Sequence, residues 1–425
     1  MTPPRLPDLP RRDLLAGTLG AGLGLATLSA VLPARAGTLP PAGQLDARDF
    51  GAVGDGRADD TAALQQALDT AFGQLHGGLL TIPPGTYRVT APLRVETAAK
   101  PAGNLTHALT IQGRGARLVS EITGDDPVLE IVSHAVVRFL TVDGLEIQGN
   151  GEEGHGLALT CIERGTYLYN FCLRDLVVQG CGGDGCRLVG NLFEGQVFNS
   201  YFRDNRGNGG WFAHGPENTV LSAVHVFGCV FGGNGVDGAV LADGAADISF
   251  HGCYFLLNQR FGLNADHGVT LLSHCGFENN QRRAGSFAKG DAAVRLMVKG
   301  TLVGCTSYSI EYQTHLIRAF LTNDFVMVGC HGGGGGQASG AGLARLQGSG
   351  STQAFLLGTT GRVDDAGGID LINVGPAAAG RFPSTWNSAG LLQLGGYRLW
   401  VDETGTLRMK QGRPTSDQDG QPVAS

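Results

Sequence analysis

His155-Gly156-Leu157-Ala158-Leu159, Asp184-Gly185-Cys186-Arg187-Leu188, Gly209-Gly210-Trp211-Phe212-Ala213, Asp237-Gly238-Ala239-Val240-Leu241 and Phe261-Gly262-Leu263-Asn264-Ala265 are five versions of one pattern. A residue, usually polar, precedes a glycine, and an apolar, variable, apolar triplet follows. The glycines Gly156, Gly185, Gly210, Gly238 and Gly262 are 29, 25, 28 and 24 residues apart. A second series runs in phase: Ile147, Val177, Phe202, Phe231, Phe255 and Phe277, with Asn205, Asn234, Asn258 and Asn280 each three residues after a Phe. A period of this length with strand-like alternation inside each unit is the mark of a solenoid, in which every unit buries its apolar face against its neighbours.

The repeat extends in both directions. Val128 to Ile131 reads as an earlier rung, and Val294-Arg295-Leu296, Ile317-Arg318-Ala319, Ala344-Arg345-Leu346 and Ile369-Asp370-Leu371 as later ones. Each coil is expected to hold three short strands paired with their equivalents above and below, so that in-phase residues form columns about 4.8 Å apart. The Phe series is predicted as an interior column. The Asn series is predicted at a turn, where Asn tolerates left-handed backbone and bonds its neighbours. Cys229, Cys253, Cys275, Cys305 and Cys330 also recur, at 24, 22, 30 and 25 residues, and the first three lie two residues before a column Phe. They read as small buried thiols rather than bridges or metal ligands.

Composition agrees. The 425 residues include 69 Gly but no three-residue period, and only 16% are charged, which suits many tight turns between short strands. A formal charge of −7 argues against nucleic acid as partner.

Residues 1–36 read as an export signal. Arg11-Arg12-Asp13-Leu14-Leu15 precedes a short Gly- and Ala-rich apolar stretch and a small-x-small site, Ala34-Arg35-Ala36. The pattern resembles a twin-arginine signal, which implies a folded protein delivered to the periplasm or beyond, with no membrane association after signal removal. Residues 37–46 read as a linker, 47–375 as the solenoid domain with an N-terminal cap, and 376–425 as a second linker and a terminal hairpin built from Tyr397-Arg398-Leu399-Trp400-Val401 and Thr406-Leu407-Arg408-Met409-Lys410.

The cap begins at Asp49-Phe50-Gly51-Ala52-Val53-Gly54-Asp55-Gly56 and Asp59-Asp60-Thr61. An amphipathic helix carrying Ala62, Leu64, Ala67, Leu68 and Phe72 follows, with Asp59 or Asp60 placed to cap its amides. Leu79-Leu80-Thr81-Ile82-Pro83-Pro84-Gly85-Thr86-Tyr87 then reads as strand, turn and strand. These segments together resemble the opening of pectate-lyase-like proteins related to polygalacturonases (glycoside hydrolase family 28-like). The resemblance implies an all-β, right-handed parallel β-helix with a short capping helix, and a polysaccharide as substrate. It leaves the chemistry open, since hydrolases, lyases, epimerases and phage tail spikes share this opening.

A filled solenoid interior leaves chemistry to the outer face of a sheet. With Gly210 taken as the in-phase glycine, alternation sends Leu157, Cys186, Trp211, Ala239 and Leu263 inward and Ala158, Arg187, Phe212, Val240 and Asn264 outward. The column before the glycines reads His155, Asp184, Gly209, Asp237, Phe261. Asp184 and Asp237, one coil intervening, are then about 9.6 Å apart at Cα. That suits the acid and base of an inverting glycosidase, with His155 beside them to influence a proton. Gly154-His155-Gly156 is similar to the polygalacturonase Gly-His-Gly, and Gly183-Asp184-Gly185-Cys186 to its Gly-Asp-Asp-Cys with one Asp missing. The acids follow the histidine here instead of preceding it, and no Asn-Thr-Asp motif is present.

Arg187, Phe212, His214, Asn264 and Asp266, with His267, form the expected substrate-binding surroundings, Phe212 as a ring for sugar stacking. The functional reading is an exported glycoside hydrolase. A lyase acting on a uronate polymer is the rival, served by Arg187, Arg260, His214 and the stripe Arg295, Arg318 and Arg345, with Ca²⁺ held by Asp184 or Asp237. A non-catalytic, tail-spike-like binder is the third. No cofactor is required by the first reading, and homo-oligomer formation is left open.

Overall fold

The computed structural model describes residues 44–422, apart from short internal stretches of which the longest are 98–108, 282–291, 335–341 and 375–391. The export segment, most of the first linker, the start of the second and His267 lie outside the described residues. What is described is a parallel β-helix. Three parallel sheets run its length: sheet A with 16 strands, and sheets B and C with 11 each. One coil takes Cys172–Arg174 into sheet A, Val177–Gln179 into sheet B and Cys186–Gly190 into sheet C. The next repeats this with Gln196–Phe198, Tyr201–Arg203 and Gly210–Ala213. Residues 44–46, read as linker, already form a strand, because Gln44–Asp46 pairs with Leu79–Thr81 to start sheet A.

Local backbone chemistry makes the corners. Between sheets A and B, Gly144, Asp175, Asn199, Gly228, Gly252, His274, Gly304 and Gly329 all adopt left-handed backbone with φ between 43° and 73°. Each is followed by a buried side chain: Leu145, Leu176, Ser200, Cys229, Cys253, Cys275, Cys305 and Cys330. The column runs from Leu through Ser to Cys along the helix. All nine cysteines are free, and in this column the Cys253 and Cys275 thiols lie 3.4 and 3.3 Å from the Val226 and Phe250 carbonyls. The Cys253, Cys275 and Cys305 thiols are pushed up to about 12, mainly because each donates within a stack of thiols.

The corner between sheets B and C carries the asparagines. Asp204, Gly233, Leu257 and Asn279 take the left-handed backbone here, with φ from 48° to 67°. The column asparagines Asn205, Asn234, Asn258 and Asn280 follow them, so each exploits its amide rather than its tolerance of positive φ. Asn205 Nδ2 donates to Asn234 Oδ1 at 3.1 Å, Asn234 Nδ2 to Asn258 Oδ1 at 2.9 Å, and Asn258 Nδ2 to Asn280 Oδ1 at 2.8 Å. The last three also bond the Phe202, Phe231 and Phe255 carbonyls. Peptide groups that the turn would strand in the interior are thereby satisfied.

The core is the inner face of all three sheets. Phe202, Phe231, Phe255 and Phe277 stack with ring centroids 5.3, 5.1 and 4.9 Å apart, each contact adding about 0.5–1.5 kcal/mol beyond area burial. The column continues through Val178 and Ile147, not Val177, since Phe202 pairs with Val178. The last sheet C rung is Arg362–Asp365; the Ile369-Asp370-Leu371 segment pairs with Thr352–Leu357 in sheet A.

The helix is Thr61–Phe72, burying Leu64, Ala67, Leu68 and Ala71, with Ala62 exposed. Asp59 Oδ1 accepts from the Thr61 amide and hydroxyl at 3.1 and 2.5 Å. Asp60, 1% exposed, turns the other way and accepts from the Val53 and Gly54 amides at 2.6 and 3.1 Å, tying the Asp-Phe-Gly-Ala-Val-Gly loop to the helix start. At the other terminus, Tyr397–Val401 and Leu407–Gln411 pair antiparallel as expected, flanked by Leu392–Leu394 and Gln421–Pro422.

Candidate functional site on sheet C

The register of sheet C decides which side chains share its outer face. Cys186 pairs with Gly210 and Gly210 with Ala239, so Gly209, not Gly210, is in phase with Gly185 and Gly238. The column preceding the glycines is therefore His155, Asp184, Asn208, Asp237, Phe261. One residue of slip reverses faces: Phe212 is 1% exposed and points into the core, while Trp211 is the outward residue and packs over Ala213, Val240 and Ala242. The predicted sugar-stacking role of Phe212 is overturned. From Arg94 to Arg345 the outward column reads Arg94, Glu130, Ala158, Arg187, Trp211, Val240, Asn264, Arg295, Arg318 and Arg345.

Asp184 and Asp237 share a column with Asn208 between them, but their surroundings differ. Asp237 is fully buried. Its Oδ1 accepts from Arg260 Nε at 2.7 Å and the Phe261 amide at 2.9 Å; its Oδ2 accepts from Asn264 Nδ2 at 3.0 Å and from Arg260 Nη2. Both oxygens are committed and no face is open to water or sugar. As a catalytic base it would have to break a buried, bidentate ion pair, at a cost of about 3–5 kcal/mol. The carboxylate pair expected for an inverting glycosidase is absent in this form.

Asp184 commits one oxygen. Its Oδ1 accepts from the Asn208 amide and Nδ2, both at 2.8 Å. Its Oδ2 has no hydrogen bond among the described residues and lies 3.7 Å from His155 Nδ1 and 3.9 Å from Arg187 Nε. His155, 8% exposed, accepts the Asp184 amide at Nδ1, 2.8 Å away. Nε2 lies 2.8 Å from Arg187 Nη1, which can only donate, and 3.5 Å from Asp125 Oδ1, so both ring nitrogens face donors, of which a neutral imidazole accepts one. Burial and the Arg187 charge both hold the imidazole below its ordinary pKa, so it is neutral at pH 7. Arg187 is the more open member, with about a third of its side chain exposed.

The polar network continues up the face. Asn208 Oδ1 accepts the Asp237 amide at 3.1 Å, Arg295 Nη1 donates to Asn264 Oδ1 at 2.8 Å, and Arg295 also pairs with Asp266. His155, Asp184 and Arg187 are thus brought together, and Asn264, Asp266 and Arg295 form a second group beyond the Trp211 patch. His214 is half-buried against Gly244 and is two coils from Asp266 by register, so the expected His214–Asp266 cluster is not a single contact. Asn208 and Asp125 were not anticipated. Asn208-Gly209 fits the repeat, but the Gly209-Gly210 doublet hides the phase; Asp125 lies in a loop with no periodic signal.

Calcium does not fit Asp184 and Asp237. Ca²⁺ takes six to eight oxygen ligands, whereas Asp237 is occupied by a guanidinium and Asp184 faces another. Among the described residues no trio of His, Cys, Asp or Glu converges on a point.

Comparisons with known proteins agree with this architecture. Residues 45–130 match the family model for rhamnogalacturonase A/epimerase, pectate lyase-like, and residues 357–425 that for capsule depolymerase. Mannuronan C5-epimerase AlgE2 of Azotobacter vinelandii is 29% identical over 238 residues, 48% of this chain and 23% of its own length. AlgE6 of the same organism is 36% identical over 111 residues, 23% of this chain and 12% of its own. The chain thus spans under a quarter of the length of these two relatives. Among solved structures, the surface adhesin PfbA of Streptococcus pneumoniae superposes with a TM-score of 0.58 at 13% identity, covering 86% of this chain and 98% of that one. ORF18 of Geobacillus virus E2 gives 0.57 at 19% identity, covering 90% and 75%. The cap motif, the coil geometry, the matched opening and these relatives converge: this chain belongs to the pectate-lyase-like superfamily of parallel β-helix proteins.

Proposed function

We propose that the chain acts on an anionic, uronate-containing polysaccharide bound along the outer face of sheet C, by removing the proton beside the uronate carboxylate rather than by hydrolysis. The observation that carries this reading is the unequal state of the two column carboxylates. A glycosidase needs two working carboxyl groups, and only Asp184 has an uncommitted oxygen. Elimination or epimerisation needs one base, one proton donor and a cation that stabilises the negative charge developing on the substrate's carboxylate. Asp184 Oδ2, the His155 imidazole and Arg187 supply these within one patch.

In this scheme Arg187 leaves His155 Nε2 to pair with the uronate carboxylate, and Asp184 Oδ2 accepts the neighbouring carbon's proton. His155 donates from Nε2, either to the departing glycosidic oxygen or back to carbon. With Arg187 moved to the substrate and Nδ1 held by the Asp184 amide, the neutral ring carries its proton on Nε2 and presents it as a donor. Trp211 offers the adjoining sugar an apolar surface, and Arg295 lies further along the same column. The likeness to mannuronan C5-epimerases supports a uronan as the substrate class and proton transfer at carbon as the chemistry.

The test is incubation of purified protein with a panel of polyuronates and neutral glucans. Absorbance of unsaturated ends reports elimination, and proton NMR of the anomeric region reports epimerisation. Asp184→Asn should abolish either product while leaving binding. New reducing ends without unsaturation would replace this reading with hydrolysis; binding without turnover would replace it with a non-catalytic role.

A further inference from the structure

Sheet A carries a second polar cluster on its outer face. His225 pairs in register with Ser249 on the next coil, and His251 lies two residues beyond Ser249 on the same side of the strand Ala246–His251. His225 Nδ1 lies 2.6 Å from Ser249 Oγ, and His251 Nε2 lies 2.9 Å from the same oxygen. Two imidazole nitrogens from successive coils thus converge on one point. The His251 ring is fixed by stacking on Phe227, with centroids 4.9 Å apart and planes 16° from parallel. Both histidines are half-buried and Ser249 is buried, so the cluster is reachable from solvent on one side only.

A serine hydroxyl has one proton. It can donate to only one of the two imidazoles and must accept an N–H from the other, so one ring has to hold its proton on the inward nitrogen. A divalent ion lifts this restriction: both rings shift their protons outward and present lone pairs to the ion. Bonds of about 2.0–2.1 Å to imidazole nitrogen require only a small inward turn of each ring, and Ser249 Oγ or water completes the set.

We propose that His225 and His251, with Ser249 Oγ, form a binding site for a divalent transition metal of the copper, nickel or zinc class, clipping two adjacent coils of sheet A together. Imidazole ligands select these ions over calcium and magnesium, and copper binds tightest in the series. The site lies on a different sheet from the sugar-binding face and is independent of the proposed function.

Cu²⁺ titration of the full chain, followed by electron paramagnetic resonance, tests it. The expected spectrum shows hyperfine splitting from two equivalent-type nitrogens at one copper per chain, and excess Zn²⁺, but not Ca²⁺, displaces the copper. His225→Ala and His251→Ala should each weaken binding by more than the ~10–100-fold that losing a mere supporting partner of a ligand costs, while His274→Ala, one coil further on, leaves it unchanged. Because binding links two coils, Cu²⁺ should also raise the unfolding temperature of the parent but not of either variant. A two-nitrogen signal that survives both substitutions, or a parent that binds copper through fewer than two nitrogens, overturns the proposal.

Discussion

Replacing Asn258 by alanine probes the corner ladder at its most connected rung. The amide is fully buried and makes four bonds. Its Nδ2 donates to Asn280 Oδ1 at 2.8 Å and the Phe231 carbonyl at 3.0 Å, and its Oδ1 accepts from Asn234 Nδ2 at 2.9 Å and the Asn234 amide at 3.2 Å. Alanine strands two donors and two acceptors where water does not reach. A buried polar group left unpaired costs about 1–3 kcal/mol, so four groups bound the loss near 10 kcal/mol. Two effects reduce it: the vacated amide volume is large enough to admit a water that re-satisfies two or three of them, and the Phe231 and Asn280 oxygens keep other neighbours. The expected loss is about 3–5 kcal/mol. Denaturant unfolding monitored by far-ultraviolet circular dichroism, with the slope compared to confirm one transition, measures it. Stacked coils communicate only with their neighbours, so hydrogen exchange should accelerate most in the coils of Asn234 and Asn280. A loss under 1 kcal/mol, or exchange raised uniformly along the helix, would refute the view that these amides hold the corner.

Three further outcomes follow from particular contacts. A Cβ on Gly238 would lie 2.4 Å from the Gly262 carbonyl oxygen, whereas one on Gly228 meets nothing within 4 Å and is opposed only by φ of +58°; Gly238→Ala should therefore lower the unfolding temperature far more than Gly228→Ala, whose cost is about 1–2 kcal/mol. His155 has a lowered pKa in the fold, so the unfolded chain binds the proton more tightly; its contribution is present above about pH 6.5 and lost as pH falls below it. His155→Gln should flatten that part of the pH profile of the unfolding temperature. The column thiols, buried and held at high pKa, should react with a thiol reagent only as fast as the chain opens, so modification rates at pH 8 should track the unfolding rate across denaturant concentrations.

The coil was readable because its signal is repeated. Phe202, Phe231, Phe255 and Phe277 recur at one inner position, and the Asn three residues after each fixes the corner. Reading failed wherever two adjacent residues satisfy the pattern equally. Val177 and Val178 are both β-branched, and only the pairing of Val178 with Phe202 chooses between them. Gly209 and Gly210 are both small, and choosing Gly210 turned Phe212 outward and Trp211 inward, the reverse of their true faces. Terminal rungs lack a flanking repeat to correct them, which is why Ile369 was placed on sheet C and not on sheet A.

The site shows a different limit. Asp184 and Asp237 share an Asp before a Gly in the same column, and the one charged difference close by, Arg187 against Val240 three residues on, would by itself predict the ion pair at the wrong carboxylate. Their fates are set one coil further on, by residues about two dozen positions away. Asn208 meets Asp184 with a neutral amide and occupies one oxygen; Arg260 meets Asp237 with a guanidinium and occupies both. In a solenoid every side chain packs against the coils above and below, so its chemistry depends on the neighbouring coil as well as on the motif. The same column that builds a buried ion pair at one rung leaves an uncommitted carboxylate oxygen at another, because the succeeding coil brings the Arg260 guanidinium, beside Phe261, to Asp237 and only the Asn208 amide to Asp184.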